Sequence, residues 1–304
     1  MYDVIVIGGG SAGLSAALVL GRSRRRTLVL DGGPPRNAPS PAAHSVFTRD
    51  GTPPGDLLNV ARSQLAPYGS VSVREGRAER ARGTGGSFVV DLGDGSEVRA
   101  RRLLLAVGVR DELPPIEGLA PLWGRGVLHC PYCHGWEVRD EPLAVRARGA
   151  QAMELVPLVL QWSRDLVLCS DGPSELAPAE LDALARGGVR VIETPIRRLE
   201  GSAGLERIVF TDGHVEPRRA LFLRPPQAVG CDLPAQLGCE LTEAGHIAVG
   251  VDHRTSVPGV YAAGDAASPF QQVVVAAASG ALAAIMLNRD LAQEDFAAGP
   301  KPAR

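Results

Sequence analysis

Lysine is almost missing from this 304-residue chain: Lys301 is the only one, and every other basic side chain except histidine is arginine. The skew points to genome composition rather than to an arginine-specific function. Charge of either sign is not in excess. The formal net charge of −2 speaks against nucleic acid or a membrane surface as an obligate partner. Long hydrophobic runs are also missing. The longest, Val273 to Leu287, contains Ser279 and Gly280, falls short of a hydrocarbon layer ~30 Å thick, and reads as a buried helix. No charged leader or cleavage site precedes the apolar strand that follows Met1-Tyr2-Asp3. Cysteine is scarce: there are five, only two of them close together, which excludes a secreted disulfide scaffold. The expectation is a soluble cytoplasmic protein with a working dithiol, of a length that suits two domains.

What is present begins at the N-terminus. Val4-Ile5-Val6-Ile7 is a continuous apolar run of the kind buried in a parallel sheet. Gly8-Gly9-Gly10-Ser11-Ala12-Gly13 follows, then the apolar helix Leu14 to Leu20, then a strand from Thr27 to Leu30 ending in Asp31. Strand, glycine loop, helix, strand and acid within about 30 residues form a dinucleotide-binding unit. Gly8 permits the sharp turn, Gly10 lets the backbone approach a pyrophosphate, and Gly13 lets helix and strand pack closely. The helix N-terminus turns free N–H groups and its positive dipole end towards the phosphates, and Asp31 accepts from a ribose hydroxyl.

From Ser87 the pattern turns to β, with Ser87–Asp91 and Glu97–Ala100 flanking Gly93-Asp94-Gly95, a hairpin signal. Arg102 to Gly108 reads as a further buried strand. A middle domain has its own strand (Leu143–Val145), helix (Met153–Trp162), strand (Asp165–Cys169) and a second hairpin at Asp212-Gly213. The last segment, Thr255 to Asp265, is a strand ending in Gly264-Asp265, followed by an apolar helix from Gln271. An acid there can hold the ribityl chain of a flavin, and the next helix N-terminus can stabilise charge on a reduced isoalloxazine ring. The competing reading of Asp265 is a helix N-cap.

The middle domain carries Cys130-Pro131-Tyr132-Cys133-His134-Gly135. Two thiols separated by two residues form a tight redox disulfide, and the spacing lowers one thiol pKa below about 8.5. The same spacing also suits zinc, and His129 and His134 flank the pair. Structural zinc draws on two separated ligand pairs, however, and Cys169, Cys231 and Cys239 are isolated. Pro131 and Gly135 argue against inert buried thiols. The pair reads as redox-active, with no metal site.

The glycine fingerprint, the inserted Cys-x-x-Cys and the Gly264-Asp265 stretch, in this order, resemble the low-molecular-weight thioredoxin reductases, part of the FAD-dependent pyridine-nucleotide disulfide oxidoreductases. Cys-Pro-Tyr-Cys-His-Gly together with Pro35-Arg36-Asn37 is similar to a sub-branch, the FAD-dependent dithiol oxidases that close the disulfides of gliotoxin, holomycin and romidepsin. The resemblance implies an α/β protein of two Rossmann-like, three-layer dinucleotide-binding domains, the second inserted into the first. The FAD domain would span residues 1–117 and 243–304 and the inserted domain 118–242, in a homodimer. It implies FAD held by Gly8, Gly10, Ser11, Ala12, Gly13, Asp31, Gly32, Arg36, Asn37, His44, Gly108, Gly264, Asp265, Gln271, Gln272 and Val273. Cys133 would lie beside the flavin and Cys130 would face the substrate. His134 stands where thioredoxin reductases carry an acid, and a pKa near 6.5 would let it shuttle protons and stabilise a thiolate. Tyr132 and Trp136 are candidates for substrate packing.

The second fingerprint departs from the family. After Leu143-Ala144-Val145 comes Arg146-Ala147-Arg148-Gly149-Ala150-Gln151-Ala152, in which only the central glycine survives. The next strand ends Cys169-Ser170-Asp171 without a basic cluster for a 2′-phosphate. Asp171 could take a ribose diol and favour NADH, but the damaged turn points to loss of nicotinamide binding. The expected activity is oxidation of a small-molecule dithiol to a disulfide, with O2 as terminal acceptor. A reductase of thioredoxin-type disulfides is the alternative, and a redox-sensing flavoprotein without turnover a third reading.

Overall fold

Val4 to Ile7 are apolar without alternation because β1 (Tyr2–Ile7) is covered on both faces. In the computed structural model, which describes residues 1–299, β1 leads through a glycine turn into α1 (Ser11–Arg22) and β2 (Thr27–Asp31). β3 (Val71–Glu75), β4 (Ala78–Thr84), β5 (Ser87–Leu92) and β6 (Glu97–Leu105) complete a sheet of order β3-β2-β1-β6-β5-β4, joined on β6 by Val260–Ala262. Pairing is parallel from β3 to β6, with Val6 opposite Val29 and Leu104, and antiparallel from β6 to β4. The two strands expected around residue 101 are one. The first half of β6 pairs with β5 and the second with β1 and Val260–Ala262.

Alternate residues of these strands feed two cores. Val4, Val6, Val29 and Leu104 pack under α1 and the long helix Val273–Ala297. Ile5, Ile7, Leu28, Leu30 and Leu103 pack on the other face with Phe88, Val90, Leu233 and Ile247. The long helix differs from the buried helix expected. Ala276, Gly280, Ala283, Ala284, Leu287 and Leu291 form its buried stripe, while Val274, Leu282 and Ile285 are 40–52% exposed on another side. It extends to Ala297, so by length and composition it is also long and apolar enough to cross a membrane. Its buried stripe sets it as a core helix: a Cβ on Gly280 would lie 2.0 Å from Ala12 O, a closeness only glycine allows.

A second unit has a five-stranded parallel sheet in the order Arg190–Ile192, Leu166–Cys169, Leu143–Arg146, Ala220–Leu223, Val127–Leu128. Helix Gly149–Val159 follows the strand Leu143–Arg146. A three-stranded antiparallel sheet includes the hairpin at Asp212-Gly213. Two cores again cover the parallel sheet, one on each face. The chain is thus α/β with two Rossmann-like domains, the second interrupting the first.

The boundaries differ from the sequence expectation of 117/118 and 242/243. One unit comprises residues 1–38, 46–110 and the described residues from 227 onward, and the other 39–45 and 111–226. Residues 227–242 join the first because Leu233 and Cys239 enter its core. Gln236 also ties itself to the edge strand, its Oε1 accepting from Ala81 N at 3.0 Å and its Nε2 donating to Glu79 O at 3.1 Å. Leu113 and Ile116 pack into the second unit's core, which draws residues 111–117 there.

Candidate functional site

The first unit carries a dinucleotide cradle. Gly8 has φ +120°, and a Cβ there would lie 2.1 Å from Ala106 O, so the turn leaving β1 accepts no other residue. α1 starts at the N-cap Gly10 with no side-chain cap, and a Cβ on Gly10 would meet nothing within 4 Å. The helix therefore starts at an uncapped position with open space beside Gly10, which suits a pyrophosphate. Positions Gly32 and Gly108 face open space as well.

Asp31 closes one side of the cradle. Its Oδ1 accepts from Gly33 N at 3.2 Å and its Oδ2 pairs with Arg62 at 2.5 Å. Arg62 lies on helix Pro54–Ser63, outside every motif, and nothing in the sequence marks it. Arg36 reaches Gln271 Oε1 at 2.8 Å and Asp265 Oδ2 at 3.4 Å, and Asn37 shares its turn, in which Ala38 N donates to Pro35 O. Gln271 and Gln227 exchange amide hydrogen bonds of 2.6 and 3.0 Å. Asp265 lies inside the short helix Gly264–Ala267 and is not an N-cap. The long helix that starts at Val273 is capped by Gln272, without a side-chain bond. Uncapped helix starts, a cationic Arg36 and two carboxylates suit FAD. Ser11 to Gly13 would hold its pyrophosphate, Asp31 its adenosine ribose and Asp265 its ribityl chain.

The second unit carries the dithiol. Cys130 and Cys133 are joined as a disulfide with Cα atoms 5.3 Å apart. Cys130 is the N-cap of the short helix Pro131–His134, where Pro131 supplies the fixed φ of a first turn. Its Sγ accepts from Cys133 N at 3.2 Å, a bond that would favour a thiolate there after reduction. Both sulfurs are half-buried, while Tyr132 and Trp136 beside them are 60% and 64% exposed. Tyr132 meets Trp162 edge-on at 5.9 Å, and the Arg139 guanidinium lies 4.0 Å over the Trp136 ring.

Burial, reinforced by His44, pushes His134 down to about 4. It is a neutral base at pH 7, not the ordinary imidazole with pKa near 6.5 expected from sequence. His44, expected with the flavin, belongs to the second unit, where its Nε2 lies 3.4 Å from Glu137 Oε1. Glu137 follows His134 by three residues, and that spacing was the available signal for it. Cys169 is buried and raised to about 12, and burial also raises Cys231 and Cys239, so none competes as a nucleophile. Among the described residues, no three or more His, Cys, Asp or Glu side chains gather as a metal site.

The acid of the second dinucleotide-like unit is already engaged. Asp171 Oδ2 accepts from Arg146 Nε and a terminal nitrogen at 3.0 and 2.8 Å, and Oδ1 from Ile196 N at 2.7 Å.

A flavin cradle in one Rossmann-like unit and a Cys-x-x-Cys disulfide in another define an FAD-binding enzyme of thiol–disulfide exchange. The chain belongs to the pyridine nucleotide-disulphide oxidoreductases, whose family model matches residues 2–280. It is 33% identical to the thioredoxin reductase sirT of Leptosphaeria maculans, over 99% of this chain and 98% of that one. Among solved structures, HlmI is 40% identical with a TM-score of 0.91, covering 98% of this chain and 94% of its own. A putative thioredoxin reductase TrxB of Bacillus anthracis is 33% identical with a TM-score of 0.92, covering 97% and 100%.

Proposed function

We propose that the protein is a dithiol oxidase that closes an intramolecular disulfide in a small molecule, with O2 as terminal acceptor. The observation that carries this is Asp171. The acid that would take the ribose of a nicotinamide cofactor has both oxygens committed to Arg146 and Ile196, whereas the first unit keeps an open glycine turn and Cys130 and Cys133 are paired. Electrons would then enter from the thiol side.

A substrate thiolate attacks Cys130 Sγ, and Cys133 leaves as a thiolate. The second substrate thiol loses its proton to neutral His134, attacks the mixed disulfide and releases the product, with Cys130 as leaving group. The reduced pair now holds the two electrons of the dithiol. When bound, FAD supplies a two-electron acceptor that reoxidises this pair and passes the electrons to O2, giving one H2O2 per disulfide. Tyr132 and Trp136 offer the apolar surface on which a small molecule would rest. We place the enzyme in the cytoplasm as a homodimer, with the exposed Val274, Leu282 and Ile285 stripe as the contact face.

The test is oxygen uptake with dithiothreitol as probe: one O2 consumed and one H2O2 formed per disulfide supports the oxidase. The names of the relatives, thioredoxin reductases, favour the other reading, a disulfide reductase fed by NAD(P)H or another electron donor. Turnover of thioredoxin with NADPH, without oxygen uptake on dithiol, would establish that reading instead.

A further inference from the structure

The carboxyl ends of Leu143–Arg146 and Leu166–Cys169 carry the turn and the acid that a Rossmann-like unit turns towards a dinucleotide. A nucleotide-binding unit uses N–H groups of the first turn for pyrophosphate and the acid after the second strand for ribose. Here a side chain ties the turn to the segment that carries the acid. Arg148 Nε donates to Ser170 O at 2.6 Å, one terminal nitrogen donates to Asp171 O, and the other lies 3.8 Å from Glu175. A Cβ on Gly172 would lie 2.5 Å from that guanidinium, so glycine there leaves the room it fills. Gly149 N, the amide expected to face a phosphate, donates instead to Ser174 O at 2.9 Å.

The turn follows a different path from its counterpart in the first unit. Gly8 has φ +120°, and Ala147 at the matching place has no positive φ. Gly10 has φ −82°, and Gly149 has φ +47°. Ala152, fully buried, fills the third place, where the fingerprint admits alanine. The segment is therefore one methyl group away from Gly-x-Gly-x-x-Ala, and that methyl alone does not explain a turn stitched to the neighbouring loop.

We infer that Arg148 is the specificity-determining residue of the second unit: its guanidinium ties the strand–helix turn to residues 170–171 and excludes the pyrophosphate and ribose of a pyridine nucleotide. The inference rests on the oxidase reading only in requiring no nicotinamide for turnover. FAD-loaded wild type, Ala147→Gly, Arg148→Ala and the double variant are titrated calorimetrically with NADH and NADPH, and each is assayed for dithiol-dependent oxygen uptake. Neither wild type nor Ala147→Gly should saturate below about 1 mM, whereas Arg148→Ala should bind at least about tenfold more tightly and the double variant most tightly. Oxygen uptake should stay within about twofold in all four, which reports an intact fold. Saturable binding to wild type, or Ala147→Gly binding as well as the double variant, overturns the inference. So does an Arg148→Ala or double variant that keeps its oxygen uptake yet binds neither nucleotide. Wild type without oxygen uptake but with the expected binding pattern contradicts the oxidase alone and leaves the Arg148 assignment standing.

Discussion

Thiol–disulfide exchange needs a thiolate to attack and a group to take its proton, and the proposed mechanism divides that work unequally between the two cysteines and His134. Cys133→Ser should abolish dithiol-driven flavin reduction. On the proposed mechanism, Cys130→Ser should leave an unpaired Cys133 whose thiolate gives a long-wavelength charge-transfer band with oxidised flavin. Equal, undiminished activity in both variants would remove the redox role. His134→Ala should slow the dithiol step by about 10²-fold at unchanged flavin content, read by stopped-flow. The pH dependence follows from burial. With its pKa pushed down to about 4, His134 stays unprotonated and able to accept a proton through pH 5–8, and that capacity falls only as pH drops through about 4. His44→Ala removes the second cause of the shift, so the acidic limb should move up while staying below the ordinary value of about 6.5. An acidic limb near 6.5 in wild type would contradict the placement of His134. The residue types of the site were legible: Cys130, Cys133 and His134 stand in one short motif. The charge state of His134 was not, because burial in the fold and the charge of His44, distant in sequence, set it.

At the scale of elements, the contact of α1 with the long C-terminal helix fixes the cradle. Gly280→Ala would set a methyl group 2.0 Å from Ala12 O, in the first turn that faces the pyrophosphate. Overpacking of this kind costs about 1–3 kcal/mol. Thermal unfolding should drop accordingly, and the purified variant should carry less FAD per chain, whereas Ala185→Ser, exposed on helix Pro178–Arg186 of the second unit, should change neither. The strand–turn–helix–strand opening was legible because its apolar run, glycines and acid each have one structural use. The merging of two expected strands into β6 was not, since a change of partner midway leaves no mark in the residues. Nor was the exposed stripe of the long helix: apolar composition announces burial without saying which side faces the core. The domain edges moved for a similar reason. Leu233 and Cys239 look the same in sequence whichever core receives them.

For the whole molecule, two Rossmann-like units differ at the turn after the first strand, which is open at Gly10 in one and bonded through Gly149 N to Ser174 O in the other. The exposed Val274, Leu282 and Ile285 give a prediction at this scale. Light scattering should report a dimer, and Leu282→Arg with Ile285→Arg should shift it towards monomer, because two buried unpaired charges oppose association. A wild-type monomer would discard the contact face. The central claim, that electrons enter as a dithiol and leave to oxygen, is met most directly by watching the flavin absorbance without oxygen. Dithiol should bleach the bound FAD readily, NADPH should bleach it slowly or not at all, and admitting air should restore the colour with about one peroxide per disulfide formed. Rapid, stoichiometric bleaching by NADPH, followed by turnover with thioredoxin, would contradict it.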